Sequence, residues 1–142
     1  MTTIIAIILF LIFLFISSVH FYWAFGGKWG SDAVLPTMDD DNTKIFTPSV
    51  LPTLIVAFGF LGMGLFILVM SGLISFDIPQ WIFKYGLWLI ASIFILRAIG
   101  DFKYVGFFKK IKQTKFGKND TKYFSPLCLI IGILTIILEL IK

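Results

Sequence analysis

Four long apolar runs constrain the fold of this chain more than any other feature of its sequence. They cover approximately residues 4–25, 49–75, 81–100 and 126–141. A helix needs about 20 mainly apolar residues to cross the hydrocarbon core of a bilayer, and in lipid every backbone polar group must be bonded within the protein. The sequence therefore predicts an all-α integral membrane protein, a four-helix bundle that forms a single domain over residues 1–142.

The composition excludes a soluble globular domain. Hydrophobic residues make up 58% of the chain and charged residues only 14%, whereas about 25% of the residues in soluble domains are charged. The single cysteine, Cys128, excludes an internal disulfide and a metal cluster built on cysteines. The net charge of +4 does not indicate nucleic acid, because the lysines flank helices of lipid-spanning length and fit anchoring at an anionic leaflet. We expect the lipid bilayer as the partner, and no nucleic acid.

The distribution of positive charge predicts the orientation in the membrane. With four crossings, the long loops 26–48 and 101–124 lie on one side, together with ten of the twelve basic residues. Lys84 and Lys142 remain on the other side, with both termini. The positive-inside rule then places the two loops in the cytoplasm. We expect a multi-pass protein of a bacterial cell membrane, with extracytoplasmic N- and C-termini.

Polar residues recur every three or four positions on three of the four predicted helices. Such residues are costly in lipid and usually face the interior of a bundle. Antiparallel packing brings the polar ends of these helices to the same depth, which predicts a binding site at the cytoplasmic interface. The candidate ligand-binding residues are His20, Trp23, Lys28, Arg97, Asp101, Tyr104 and Ser125.

Two of these candidates have a structural interpretation beside the functional one. Arg97 and Asp101 are spaced as an i,i+4 ion pair that locks the third helix, and Arg97 also offers a bidentate donor to an anion or a lipid head group. His20 is either a general base or an interfacial anchor whose ring nitrogens are hydrogen-bonded. No second histidine and no cluster of thiolates or carboxylates accompanies it, so the sequence predicts neither a metal site nor a cofactor.

Two strings of the sequence resemble a known family. The first is V-H-F-Y-W-A-F-G-G-K-W-G, residues 19–30, and the second is R-A-I-G-D-F-K-Y-V-G-F-F-K-K followed by F-G-K-N-D-T-K-Y-F-S-P-L-C. Together they are similar to a bacterial family of small four-span membrane proteins classed as a domain of unknown function. The resemblance implies H-x-Y-W-A-x-G-G after the first helix and R-x-x-G-D after the third. It implies no activity, cofactor or catalytic residue.

Three functions follow from these features. The first is a binding or accessory protein whose interface site holds an anionic lipid head group, a small amphipathic ligand or a membrane protein partner. The second is a membrane enzyme acting on a lipidic or quinone-like substrate, with His20 or Tyr104 in acid–base work, but no nucleophile motif or cofactor fingerprint supports it. The third is a small four-helix transporter, for which the central portions of the helices lack a buried carboxylate. The sequence favours the first and assigns no catalytic residue.

Overall fold

The computed structural model describes residues 1–29, 37–38, 43–44, 49–100, 105–112 and 114–142, and the structural account below concerns these residues. Helices form most of the described chain, with one π-helical turn and one pair of two-residue strands. In chain order the elements are α1 (Thr2–Ala24), β1 (Thr37–Met38), β2 (Thr43–Lys44), α2 (Val50–Met70), α3 (Gln80–Ile99), α4 (Lys115–Asn119), the π turn (Asp120–Phe124) and α5 (Ser125–Ile141). The strands pair antiparallel, Thr37 opposite Lys44 and Met38 opposite Thr43.

Four helices of the described chain are long and apolar enough to cross a membrane. They are α1, α2, α3 and the continuous helical stretch Lys115–Ile141, which joins α4, the π turn and α5. Apolar side chains surround them, and large residues such as Phe15, Phe58 and Leu89 are exposed, as lipid-facing positions require. The prediction of an all-α, four-helix, multi-pass membrane protein is confirmed.

The fourth helix begins earlier than the apolar run alone suggests. Pro126 has no N–H and its ring crowds the carbonyl four residues before it, which is why a helix start at that point is the natural expectation. Instead the chain widens into the π turn, in which the Ser125 amide donates to the Asp120 carbonyl, and a π turn accommodates such a break. Thr114 caps the helical stretch, because its Oγ1 accepts from the Gly117 amide at 2.9 Å. Part of the predicted loop 101–124 is therefore helical.

The second helix ends earlier than predicted. α2 stops at Met70, because Gly72 adopts a positive φ of 82°. There the amides of Gly72 and Leu73 turn back to the carbonyls of Val69 and Leu68 at 3.1 Å. This glycine turn satisfies the last carbonyls of the helix, so the chain leaves the helical path before residue 75.

The bundle consists of two antiparallel helix pairs, α1 with α2 and α3 with α5. In the first pair, Ser17 Oγ donates to the carbonyl of Ala57 at 2.7 Å. In the second, a Cβ added to Gly132 would lie 2.6 Å from Ile95 Cδ1, so the absence of a side chain lets the two backbones approach closely. The rings of Phe13, Phe60 and Phe94, with centroids 5.5–6.1 Å apart, join the two pairs at the centre of the core.

The helices define two ends of the bundle. We use the term loop end for the end of the bundle at which α1 and α3 finish and α2 and α5 begin. At the opposite end, Lys142 Nζ lies 2.6 Å from the carbonyl oxygen of Phe83 and 2.8 Å from a carboxylate oxygen of Glu139. The lysine-rich segment, which the structure describes over residues 105–112 and 114–124, lies at the loop end with its charged contacts.

Candidate functional site

Two glycines bring the lysine-rich segment back onto the end of α3. Gly100 and Gly106 have φ values of 89° and 90°, which side chains rarely adopt. A Cβ on Gly100 would overlap the carbonyl oxygen of Val105, and one on Gly106 would overlap that of Ile99. The close approach lets the Phe107 amide donate to the Ala98 carbonyl at 2.8 Å, which satisfies one of the carbonyls left free at a helix C-terminus.

Asp120 lies at the centre of the resulting charged cluster. Its side chain is 0% exposed. Oδ1 accepts from Arg97 Nη2 at 2.8 Å, and Oδ2 accepts from the Gly106 amide at 2.7 Å and lies 3.2 Å from Lys109 Nζ. One carboxylate therefore ties together α3, the returning segment and the π turn. Charge-assisted hydrogen bonds of this kind are the strong ones in proteins.

Lys109 is buried and satisfied within the cluster. Its side chain is 0% exposed, and Nζ donates to the Gly106 carbonyl at 3.0 Å and to Thr121 Oγ1. With Asp120 Oδ2, these oxygens give an acceptor to each of the three N–H bonds of the ammonium group. Lys109 therefore serves the fold of the segment and offers no free donor to a ligand.

Two other polar atoms of the same region are buried without a hydrogen-bond partner among the described residues. They are Arg97 Nη1 and Ser125 Oγ. Both residues are bonded to Asp120, Arg97 through the Asp120 carboxylate and Ser125 through its amide and the Asp120 carbonyl. Arg97 can only donate, and the hydroxyl of Ser125 can donate as well. The group that this arrangement lacks is an acceptor.

The net charge of the cluster also favours a negatively charged group as the missing acceptor. Arg97 and Lys109 contribute two positive charges and Asp120 one negative charge, so the described residues leave one positive charge over. Buried charges are costly unless they are paired. We call Arg97, Lys109, Asp120 and Ser125 the Arg97 site; Arg97 Nη1 and Ser125 Oγ are its two buried polar atoms without a hydrogen-bond partner among the described residues.

The structure places His20 in a separate aromatic group on the first helix pair. Its Nδ1 lies 2.8 Å from the carbonyl oxygen of Ile16. Its ring packs edge-on against the ring of Trp23, with centroids 5.2 Å apart. It also packs against the ring of Phe60 in a tilted arrangement, with centroids 5.5 Å apart. Trp23 in turn donates from Nε1 to the Trp29 carbonyl at 2.8 Å. We call His20, Trp23 and Phe60 the His20 site.

The chain after α1 forms a compact turn beside the His20 site. Gly26 has a φ of 97°, and the ring of Tyr22 lies directly over Gly27, where no side chain would fit. The Trp29 amide donates to the Tyr22 hydroxyl at 3.4 Å. The aromatic and glycine residues that stand out in residues 19–30 therefore build this turn. Lys28 lies on it with an exposed side chain.

The predicted site residues are thus divided between two places. Arg97 and Ser125 each bond to Asp120 in the Arg97 site, whereas His20 and Trp23 belong to the His20 site, with Lys28 in the following turn. The contacts that connect His20 to α3 run through the rings of Phe60 and Phe94. Asp101 and Tyr104 lie outside the described residues, so the Arg97–Asp101 pair stays a prediction.

Sequence reasoning missed two central residues, Asp120 and Lys109. Both lie in the predicted cytoplasmic loop 101–124 and were not among the candidate site residues. One feature of the sequence does single out Asp120: it is the sole carboxylate among six lysines between residues 105 and 124. No three histidine, cysteine, aspartate or glutamate side chains gather as metal ligands in the parts of the chain that the structure describes.

Comparisons with known proteins add a family and no activity. A family model described as "Protein of unknown function (DUF3995)" matches residues 13–135. That range holds the His20 site, the Arg97 site and all but the ends of the bundle. A search of curated proteins finds no match. A search of solved structures also finds none.

Proposed function

We propose that this chain, which belongs to the DUF3995 family of proteins of unknown function, binds the anionic head group of an amphipathic molecule of the bilayer at the Arg97 site. One observation carries the proposal: Arg97 Nη1 and Ser125 Oγ are buried donors without an acceptor among the described residues. The protein is then a binding or accessory membrane protein.

The chemistry of Arg97 favours a head group over other ligands. A guanidinium presents its donors in a planar fork that fits phosphate or carboxylate oxygens. Asp120 occupies Nη2, so Nη1 is the donor left for a ligand. The Arg97 side chain is 32% exposed, unlike those of Lys109 and Asp120. Nη1 itself is buried, so a head group would approach along the exposed part of the Arg97 side chain while its acyl chains stay in the lipid.

The positive charge around the site suits the same ligand. Exposed lysines surround it along the returning segment and α4, including Lys110, Lys112, Lys115 and Lys118. Because Asp120 is buried, no described carboxylate opposes these lysines at the surface. A basic surface at a helix end attracts anionic lipids, each lysine contributing about 1 kcal/mol. We place this end at the cytoplasmic leaflet of the cell membrane, on the strength of the positive-inside rule.

Binding is favoured over catalysis by the separation of the two polar groups. An enzyme would need His20 within hydrogen-bond reach of a reacting group held by Arg97. Two phenylalanine rings stand in the contacts between them. In the described part of the chain, Ser125 has no base to activate its hydroxyl.

Native mass spectrometry of the purified protein tests the proposal. The wild type should retain an anionic phospholipid through detergent exchange better than a zwitterionic one with the same acyl chains. Ser125→Ala should weaken retention by about two- to tenfold, the value of one neutral hydrogen bond. Ser92→Ala is the matched control, because Ser92 is exposed on α3 and bonds only to its own helix at the Trp88 carbonyl.

Two results would count against the proposal. One is equal retention of the anionic and the zwitterionic lipid by the wild type. The other is equal loss in the Ser125→Ala and Ser92→Ala proteins, which would show that the hydroxyl of Ser125 contributes nothing specific. If a protein co-purifies in place of a lipid, the ligand of the site is a protein partner and not a head group.

A further inference from the structure

The imidazole of His20 is held in one tautomer. A carbonyl oxygen only accepts, so the 2.8 Å contact with Ile16 O requires the proton on Nδ1. In the neutral ring, Nε2 is then a hydrogen-bond acceptor. Within the part of the chain that the structure describes, the carbonyl of Ile16 is the one hydrogen-bond partner of this ring.

No described charge faces the imidazole from the helices packed on α1. α2 carries no charged residue, and the one carboxylate of α5, Glu139, lies at the opposite end of the bundle beside Lys142. Arg97 of α3 is bound to Asp120. In the neutral ring, with its proton on Nδ1, Nε2 is the acceptor.

The polar atoms beside His20 are already engaged. The indole N–H of Trp23 bonds to the Trp29 carbonyl, and the hydroxyl of Tyr22 accepts from the Trp29 amide. Ser17, one turn earlier on α1, is buried and bonded to Ala57 O. The site thus offers one acceptor, Nε2, among aromatic surfaces.

We propose that the His20 site binds a hydroxylated aromatic ring, of the phenol or quinol class, whose O–H donates to His20 Nε2. Trp23 and Phe60 hold the imidazole at interplanar angles of 70° and 32°, so the site has both ring edges and ring faces against which a further ring can pack. The one O–H group of such a ligand pairs with the one acceptor, His20 Nε2, and its apolar ring packs against Trp23 and Phe60. This binding goes beyond the head-group site, from which Phe60 and Phe94 separate it.

The single histidine of the chain makes a direct test available. Protein carrying ¹⁵N-histidine in nanodiscs gives one imidazole spin system. The free protein should show a protonated Nδ1 and an unprotonated Nε2. Titration with 4-pentylphenol should shift the Nε2 resonance saturably and leave Nδ1 in place. Its methyl ether, which has no O–H, should leave both resonances unshifted, and so should 4-pentylcyclohexanol, which has no aromatic ring.

Two variants complete the test. Trp23→Leu should weaken the affinity for 4-pentylphenol roughly fivefold, as expected for one lost aromatic contact. Trp88→Leu is the control, since Trp88 is exposed on α3, and should bind as the wild type does. Arg97→Gln should also bind 4-pentylphenol normally, so failure of the head-group proposal leaves this one standing.

Three outcomes would overturn the inference. They are a proton on Nε2 in the free protein, an Nε2 resonance that 4-pentylphenol does not shift, and an equal shift with the ether or the cyclohexanol. An equal shift with the ether would show that no O–H group is needed. An equal shift with the cyclohexanol would show that any hydroxyl bonds to the acceptor, without selection for an aromatic ring.

Discussion

At the residue scale, Asp120 decides whether the loop end of the bundle is ordered. Among the described residues it is the one carboxylate bound by both Arg97 and Lys109, and it also accepts from the Gly106 amide. Removal of one member of a buried ion cluster leaves the others uncompensated, which is far more costly than loss of a surface pair. The charged cluster and the fold of the lysine-rich segment therefore depend on the same side chain.

The first prediction concerns that carboxylate. Asp120→Asn should lower the free energy of unfolding by about 3–5 kcal/mol, because the buried Lys109 and the partly buried Arg97 lose their counter-charge. Asp77→Asn is the control, since Asp77 is exposed at the opposite end of the bundle, and the change should cost no more than about 1 kcal/mol. Denaturant titration in detergent compares the two, and equal losses would contradict this account.

The second prediction concerns Ser125. Its hydroxyl is fully buried without a partner, and an unsatisfied polar group costs about 1–3 kcal/mol. Ser125→Ala should therefore raise the thermal stability of the delipidated protein while it weakens head-group binding. Opposite signs of these two effects distinguish a binding residue from a packing residue. A loss of stability in the delipidated protein would show that the hydroxyl has a structural partner.

At the element scale, the features of single helices were readable from the sequence, and the contacts between distant segments were not. Residues 4–25 and 81–100 predicted α1 and α3 closely, because apolar length in lipid leaves few alternatives. Pro126 looked like a helix start because the π turn that carries the helix past it has no local pattern. Asp120 was missed because its role depends on Gly106, which is folded back against it.

The third prediction tests that return of the chain. Gly106→Ala should destabilise the protein by more than about 1–2 kcal/mol, since the residue has a φ of 90° and its new Cβ would meet the backbone of Ile99. Gly59→Ala is the matched control, because Gly59 lies in α2 with open space around it. That change should be neutral or stabilising by up to about 1 kcal/mol.

Limited proteolysis at the lysines of the returning segment reports the local effect. Cleavage should accelerate in the Gly106→Ala protein and stay unchanged in the Gly59→Ala protein. If both variants are cleaved like the wild type, the contact between Gly106 and the end of α3 does not hold the segment in place.

At the scale of the whole molecule, two helix pairs meet at an aromatic centre and carry different chemistry. The first pair presents a histidine among aromatic rings, and the second presents a positive cluster around a buried carboxylate. The spacing of the polar residues, with antiparallel packing of the helices, predicted one polar site at one end of the bundle. Their division between two sites followed from packing, because Phe60 and Phe94 stand between the pairs.

The fourth prediction concerns orientation. A reporter fused to the C-terminus that is active only in the cytoplasm should stay silent, because the basic residues of the loop end fix that end inside. The same reporter inserted in the loop 26–48 should be active. An active C-terminal fusion would place the Arg97 site at the opposite leaflet.

The central claim is that Arg97 selects an anionic head group, and lipid titration in matched detergent tests it most directly. In Arg97→Gln, Asp120 keeps Lys109 as its counter-charge, so the variant should fold. The account predicts that the wild type prefers an anionic to a zwitterionic lipid of equal chain length by about 10- to 100-fold, the value of one hydrogen bond from a charged donor. In Arg97→Gln the preference should fall by that factor, to the part that the exposed lysines supply. An equal preference in both proteins would contradict the claim and assign the selectivity to the surface lysines alone.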